Sequence, residues 1–210
     1  MSAMPSNLGG MRRKPRQVRS QERVNRILDV SEELFISQGY ATTTTNAIAA
    51  RAQVPIGSLY QFFPDKAAIL QALAVRYGNL LYQQLTAIDE QLPLLDYINQ
   101  AIDTTYRFFS DNPGYHAVFM EVQGTIRELE KIDEAADARL TQNLAESLAK
   151  RSHNLAALDC QAIAFVMVKT IGNLLWLSLN QEKTFQQRLL IETKRLVSSY
   201  LQSYFPPDHG

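Results

Sequence analysis

Residues 39 to 66, Gly39-Tyr-Ala-Thr-Thr-Thr-Thr-Asn-Ala-Ile-Ala-Ala-Arg-Ala-Gln-Val-Pro-Ile-Gly-Ser-Leu-Tyr-Gln-Phe-Phe-Pro-Asp-Lys66, decide the fold. Gly39 can end a preceding helix in a left-handed conformation. Thr44 is placed to cap a helix over about Thr45 to Ala52, with Ile48, Ala49 and Ala52 on its buried face. Val54-Pro55 breaks that helix, because proline biases its predecessor away from helical angles. Gly57 to Phe63 forms a short third helix that turns Leu59, Phe62 and Phe63 inward. Pro64 stops it, and Asp65 caps a fourth helix from Lys66. Upstream, Val24, Ile27, Leu28, Ser31, Leu34 and Phe35 recur at helical spacing, with Ser20 as the expected N-cap. Two short helices around a tight turn, behind an arginine-rich arm, are the sequence outline of a helix-turn-helix DNA reader.

The rest of the chain agrees with a helical protein. At 210 residues and 46% hydrophobic content it can bury the core of one large or two small domains. Beyond Tyr77 the expected helices run over 66–91, 94–110, 114–130, 132–151, 158–181 and 185–204. Breaks are expected at Pro93, at Asp111-Asn112-Pro113-Gly114, at Ser152 to Asn154 and near Asn180 to Thr184. No strand-like alternation of useful length and no internal repeat appears, so the predicted class is all-α. The most apolar stretch, Ala162 to Leu179, is interrupted by Lys169 and Asn173 and reads as a buried helix, not a membrane span. The N-terminal arginines are not followed by an apolar stretch, which argues against a secretory signal. Cys160 is the single cysteine, so no internal disulfide is possible and a reducing, cytoplasmic setting is expected.

A net charge of zero conceals an asymmetry: residues 1 to 76 carry +5 and residues 77 to 210 carry −5. Arg12, Arg13, Lys14, Arg16, Arg19, Arg23 and Arg26 supply most of the positive end. Such a segment attached to an acidic body focuses attraction for a polyanion at one end, although a charge run by itself is equally a solvated tail. Its position beside the helix-turn-helix pattern favours DNA.

The chemistry of the third helix fits that reading. The major groove is wide enough for a helix and presents a distinct donor and acceptor pattern for each base pair. Pro55, Ile56, Ser58, Tyr60 and Gln61 occupy positions that do not point into the core. Gln61 can pair with adenine, Ile56 can meet a thymine methyl, and Tyr60 can donate to a phosphate. Thr43, Thr44, Thr45 and Asn46 offer short donors at the start of the second helix, and Lys66 a point charge at the next.

Thr43-Thr44, Ile48-Ala49, Ala52, Val54, Gly57-Ser-Leu-Tyr60, Phe63 and Lys66 together resemble the DNA-binding domain of the TetR family of transcriptional regulators, over about residues 20 to 70. The resemblance implies a homodimer on a near-palindromic double-stranded DNA operator. It implies a three-helix DNA-binding domain, placed at 19–66, and an effector-binding and dimerisation domain, placed at 67–205, while residues 1–18, which mix Pro5, Gly9, Gly10 and Pro15 with charge and lack periodicity, are expected to be a flexible basic arm. Carried over by position, the contact set is Thr43, Thr44, Pro55, Ile56, Gly57, Ser58, Tyr60, Gln61 and Lys66, to which the arm adds Arg16 and Arg19 and the second helix Thr45 and Asn46. Three positions depart from the family pattern. Gln53 stands where glycine is usual, Pro55 replaces a capping serine, and Phe62 replaces a histidine or tyrosine.

The C-terminal region is expected to hold a small-molecule effector of unknown identity. Aromatic and sulfur-bearing residues concentrate at Tyr106, Phe109, Phe119 and Met120 and again at Phe165 and Trp176, with His116, Gln123, Arg127 and Asn173 as polar partners. The same stripes also read as plain core. Ile163, Met167, Thr170, Leu174 and Leu177, with Leu189, Leu196 and Tyr200, are expected to form the dimer face, the alternative being burial within one chain. The three histidines are isolated, and no metal-ligand spacing, phosphate loop or nucleophile elbow appears. The sequence therefore predicts a regulator with no catalytic residues, metal or cofactor, most simply a repressor released by a hydrophobic or aromatic effector.

Overall fold

The computed structural model describes residues 10–12, 18–115, 127–152 and 154–206. Helices α1 (Val18–Gln38), α2 (Thr45–Arg51), α3 (Ile56–Phe62), α4 (Lys66–Thr86), α5 (Leu94–Asp111), α6 (Arg127–Arg151), α7 (Ala157–Ser178) and α8 (Lys183–Gln202) follow in chain order. No strand occurs among the described residues, and the all-α class holds.

The chain forms two compact units. One comprises residues 1–80 and 112–134, the other 81–111 and 135–210. In the first, α1 buries Val24, Ile27, Leu28, Leu34 and Phe35, the face its spacing predicts. Against it lie Ile48, Ala49 and Ala52, then Leu59, Phe62 and Phe63, then Ile69, Leu70 and Leu73 of α4. Each large side chain withdrawn from water stabilises by about 1.5–3 kcal/mol, while the alanines permit close helix approach. The second unit packs α5, α7 and α8 together, through Ile98, Ile102, Phe108 and Phe109, Ile163, Met167 and Leu175, and Val197 and Leu201. Two ion pairs tie its helices: Asp137 to Lys169 at 2.5 Å and Asp103 to Lys194 at 2.6 Å.

The local signals around the turn are met. Gly39 has φ of 84°, Thr44 accepts from the Ala47 N–H, and Asp65 accepts from the Ala68 N–H at 2.8 Å. Pro55 precedes α3 with no side-chain hydrogen bond, as its missing hydroxyl dictates. Gln53 adopts φ of 54°, the left-handed conformation that glycine occupies more cheaply.

Four expectations are corrected. Ser20 lies inside α1, which already runs from Val18. The helices expected over 114–130 and 132–151 are not divided at residue 131, because α6 is continuous from Arg127 to Arg151, and most of the first falls outside the described residues. Residues 1–18 were expected to be mobile, yet Gly10 to Arg12 are described and packed, with a hydrogen bond from the Arg12 N–H to the Phe62 carbonyl. Finally, α7 is not a buried helix: 28% of its apolar window is buried, although length and composition alone would let it cross a membrane. Periodicity reports which residues are apolar, not whether a single chain covers them.

Candidate functional site

The turn between α2 and α3 is held by polar contacts as well as by its core. The Thr45 and Tyr60 hydroxyls lie 3.0 Å apart, linking the start of α2 to the exposed side of α3. Leu59, Phe62 and Phe63 anchor α3 from below. Pro55, Ile56, Gly57, Tyr60 and Gln61 are exposed and Ser58 is half-buried, so the outward face contains all five positions that the spacing assigned to it. Thr44 and Asn46 are also exposed, Thr45 is half-buried, and Arg19 is exposed near the start of α1. Arg16 lies outside the described residues.

Two sequence-predicted contacts are turned elsewhere. Thr43 is buried, and its hydroxyl donates to the Gly39 carbonyl at 2.8 Å, closing the loop after α1. The Lys66 ammonium donates to the carbonyls of Tyr40, Ala41 (3.2 Å) and Thr43 (2.8 Å) and sits 4.2 Å from the centre of the Tyr40 ring. Three carbonyls match the three donors of an ammonium group, so this lysine braces the 40–43 loop from beneath. Nothing in a lone Lys after Pro-Asp distinguishes a brace from a phosphate contact, because the carbonyls lie more than 20 residues away in the chain.

Sequence reading also missed a cluster between α1 and α4 of this unit. The Tyr77 hydroxyl of α4 donates to Glu32 of α1, while Arg76 pairs with Asp29 at 2.5 Å and approaches Glu32 at 3.7 Å. Burial, reinforced by the bond to Glu32, pushes the Tyr77 phenol well above its ordinary range. Gly114 fits against both partners: a Cβ there would come within 2.5 Å of the Tyr77 hydroxyl and 2.6 Å of Glu32 Oε1. Tyr115 adds an edge-to-face contact with Tyr77 at 5.3 Å. The only signal in the sequence was Gly114 in a turn, which does not name its neighbours.

In the second unit, Phe109 and Trp176 meet edge to face at 5.9 Å, and the Tyr106 hydroxyl lies 3.4 Å from Gln186 Oε1. These three of the expected effector residues face the packed side of α5 or α7. Phe165, 54% exposed, and Asn173, also exposed, face outward and leave the set. His116, Phe119, Met120 and Gln123 lie outside the described residues, as does the Arg127 side chain. Of the expected dimer residues, Ile163 and Met167 are interior to the unit and drop out. Leu177 and Leu196 are exposed, and Thr170, Leu174, Leu189 and Tyr200 are partly so. The pattern of three and four residue steps put both sets on one stripe, but a stripe wide enough for a core cannot be divided by spacing alone.

A three-helix unit with this turn and this exposed third helix defines the helix-turn-helix class of DNA-binding proteins. Residues 27–73 match the family described as bacterial regulatory proteins, tetR family, and residues 93–201 match the tetracyclin repressor-like C-terminal domain. The chain belongs to the TetR family of transcriptional regulators, and is accordingly a regulator and not an enzyme. It is 46% identical over 50 residues to the HTH-type transcriptional regulator HbdR of Aromatoleum sp. (strain CIB), covering 24% of this chain and 22% of that protein. It is 40% identical over 55 residues to the HTH-type transcriptional repressor KstR of Rhodococcus jostii (strain RHA1), covering 26% of each. The aligned stretches thus span about a quarter of those curated relatives. A solved TetR-family transcriptional regulator from Streptomyces coelicolor superposes with a TM-score of 0.64 at 25% identity, covering 86% of this chain and 98% of that one.

Proposed function

We propose that the chain is a ligand-responsive, sequence-specific DNA-binding regulator that acts as a cytoplasmic homodimer on a near-palindromic operator. In this reading it is a repressor, released by a small hydrophobic or aromatic effector. Residues 1–18 serve as a basic arm, 19–66 read DNA, and 67–205 bind the effector and dimerise. The observation that carries the DNA-binding part is the division of α3 into a buried face, Leu59 and Phe62, and an exposed face, Ile56, Tyr60 and Gln61. A helix so divided can enter the major groove without disturbing the core.

Gln61 then reads adenine and Ile56 a thymine methyl, while Tyr60, Ser58, Thr44, Thr45 and Asn46 hold phosphates and Pro55 and Gly57 let the backbone approach. Arg16 and Arg19 add charge from the arm and α1. Thr43 and Lys66 act indirectly, by shaping the loop that presents α2. The exposure of Leu177 on α7 and of Leu196 on α8 supports dimerisation, since helices from two copies can bury such side chains as a four-helix bundle. Tyr106, Phe109 and Trp176 supply the kind of apolar wall that a hydrophobic effector fits.

The dimer must hold two recognition helices about 34–36 Å apart to meet successive major grooves. Helix α4 is unbroken from Lys66 to Thr86, and its residues belong to both compact units, so a small tilt of it on effector binding would spoil that separation. A coupling of about 1–3 kcal/mol weakens operator binding between about fivefold and 150-fold. KstR is a transcriptional repressor, and that likeness favours repression over activation.

The test is nuclease footprinting by purified protein on the promoter of its own gene, with Gln61→Ala beside the wild type. A protected near-palindrome that Gln61→Ala binds about 1–3 kcal/mol more weakly, with relaxed preference at one base pair, is expected. No protected site on that promoter or on the promoters of neighbouring genes would overturn the reading.

A further inference from the structure

Gly10 to Arg12 take part in no contact that the sequence suggested, yet they are built into the DNA-binding unit. The Arg12 backbone N–H donates to the Phe62 carbonyl at 2.9 Å. Phe62 is the last residue of α3, so this bond satisfies one of the carbonyls that a helix C-terminus leaves without an intrahelical partner. Two residues earlier, Gly10 stands at φ +76° against the start of α4. A Cβ at Gly10 would lie 2.8 Å from Ala68 Cα and 2.5 Å from Gln71 Oε1. The glutamine end could swing away, but Ala68 is buried and its Cα is fixed in the helix. Both the dihedral angle and the space therefore demand glycine at this position.

The Arg12 side chain is exposed, and its backbone is pinned to the residue that follows exposed Tyr60 and Gln61. We propose that Gly10–Arg12 is a strap that holds Arg12 beside the C-terminal end of the recognition helix as a phosphate-contacting residue. The proposal rests on the DNA-binding reading above and adds to its contact set a residue chosen by tertiary docking. A helix lying in the major groove is flanked by both phosphate backbones, and a guanidinium carries a planar array of donors suited to phosphate oxygens. Its anchored backbone means that less ordering entropy is lost on binding than for a free tail.

The experiment measures binding of the full-length protein to two duplexes, one from its own promoter and one of scrambled sequence, by fluorescence anisotropy over a series of salt concentrations. Arg12→Ala keeps the backbone N–H and the strap but removes the cation. It is expected to reduce the slope of log affinity against log salt by about 0.9 per subunit, equally on both duplexes, and Arg12→Lys is expected to restore it. Gly10→Val, with Arg12 intact, is expected to lose the same slope, and adding Arg12→Ala to it to change nothing further. Thermal melts establish that each variant is folded, and the Arg12 pair decides the matter should Gly10→Val fail to fold. Wild-type slope in Arg12→Ala, or an effect confined to one duplex, overturns the proposal while leaving the regulator reading intact. Wild-type protein that binds neither duplex overturns both.

Discussion

The Tyr77 hydroxyl on α4 donates to the Glu32 carboxylate on α1, across 45 residues of sequence, and Gly114 closes over the pair. The bond joins the first helix of the DNA-binding unit to the helix that continues into the second unit. Tyr77 is 2% exposed and its ring cannot shorten, so the space over its hydroxyl is reserved for a residue without a side chain.

Gly114→Ala is accordingly expected to destabilise the protein by about 1–3 kcal/mol, the usual cost of overpacking a filled site. Tyr77→Phe removes the atom that the new methyl would strike and should recover part of the loss when combined with Gly114→Ala. Urea unfolding of both singles and the double, read as a double-mutant cycle, measures this coupling. Strict additivity would show that the two residues do not share the contact.

The same bond gives a pH signature. Burial, and then the bond to Glu32, raises the Tyr77 phenol above its ordinary value of 10.0. The folded protein thus holds this proton more tightly than the unfolded chain does. The contribution is fully present below about pH 10 and is lost as pH rises from there through the raised folded value. Unfolding curves between about pH 8 and pH 11 should show wild type losing more stability than Tyr77→Phe at the alkaline end. Parallel losses would assign the effect to other groups.

Gln53 sits at φ 54° between α2 and α3, where a side chain costs about 1 kcal/mol relative to glycine. Gln53→Gly should therefore stabilise the folded protein by up to about 1 kcal/mol, with the exposed glutamine side chain losing no burial. Chemical denaturation provides the comparison, and a clear loss of stability would mean that the turn draws on the glutamine in some further way.

Leu177, 61% exposed on α7, and Leu196, 52% exposed on α8, are the residues most directly bound to the dimer proposal. Leu177→Asp places a charge where two apolar faces would meet and is expected to yield monomers at micromolar concentration, with an unchanged helical circular dichroism spectrum. Sedimentation velocity reads the outcome. A wild type that is already monomeric at that concentration would remove the interface.

Helix existence, the α2–α3 turn and its caps were legible in the residues, because each depends on neighbours within one or two turns. Thr44 bonds to Ala47 and Asp65 to Ala68, and Gly39 has its left-handed angle for the same local reason. The outward face of α3 followed from period alone. Lys66 shows where this stops: its three carbonyl partners come from a loop more than 20 residues earlier, so no local pattern separates a structural ammonium from a DNA contact.

By itself, then, the sequence determined the helical class, the family and the recognition helix, since spacing, capping and turn chemistry are short-range and sum along the chain. Only the tertiary structure decided which apolar stripe is interior, turning Ile163 and Met167 inward and Leu177 outward. Only it joined Tyr77, Glu32 and Gly114, and docked Gly10–Arg12 on α3 and α4. These are matters of which distant surfaces meet and exclude water, and separation along the chain carries no record of that.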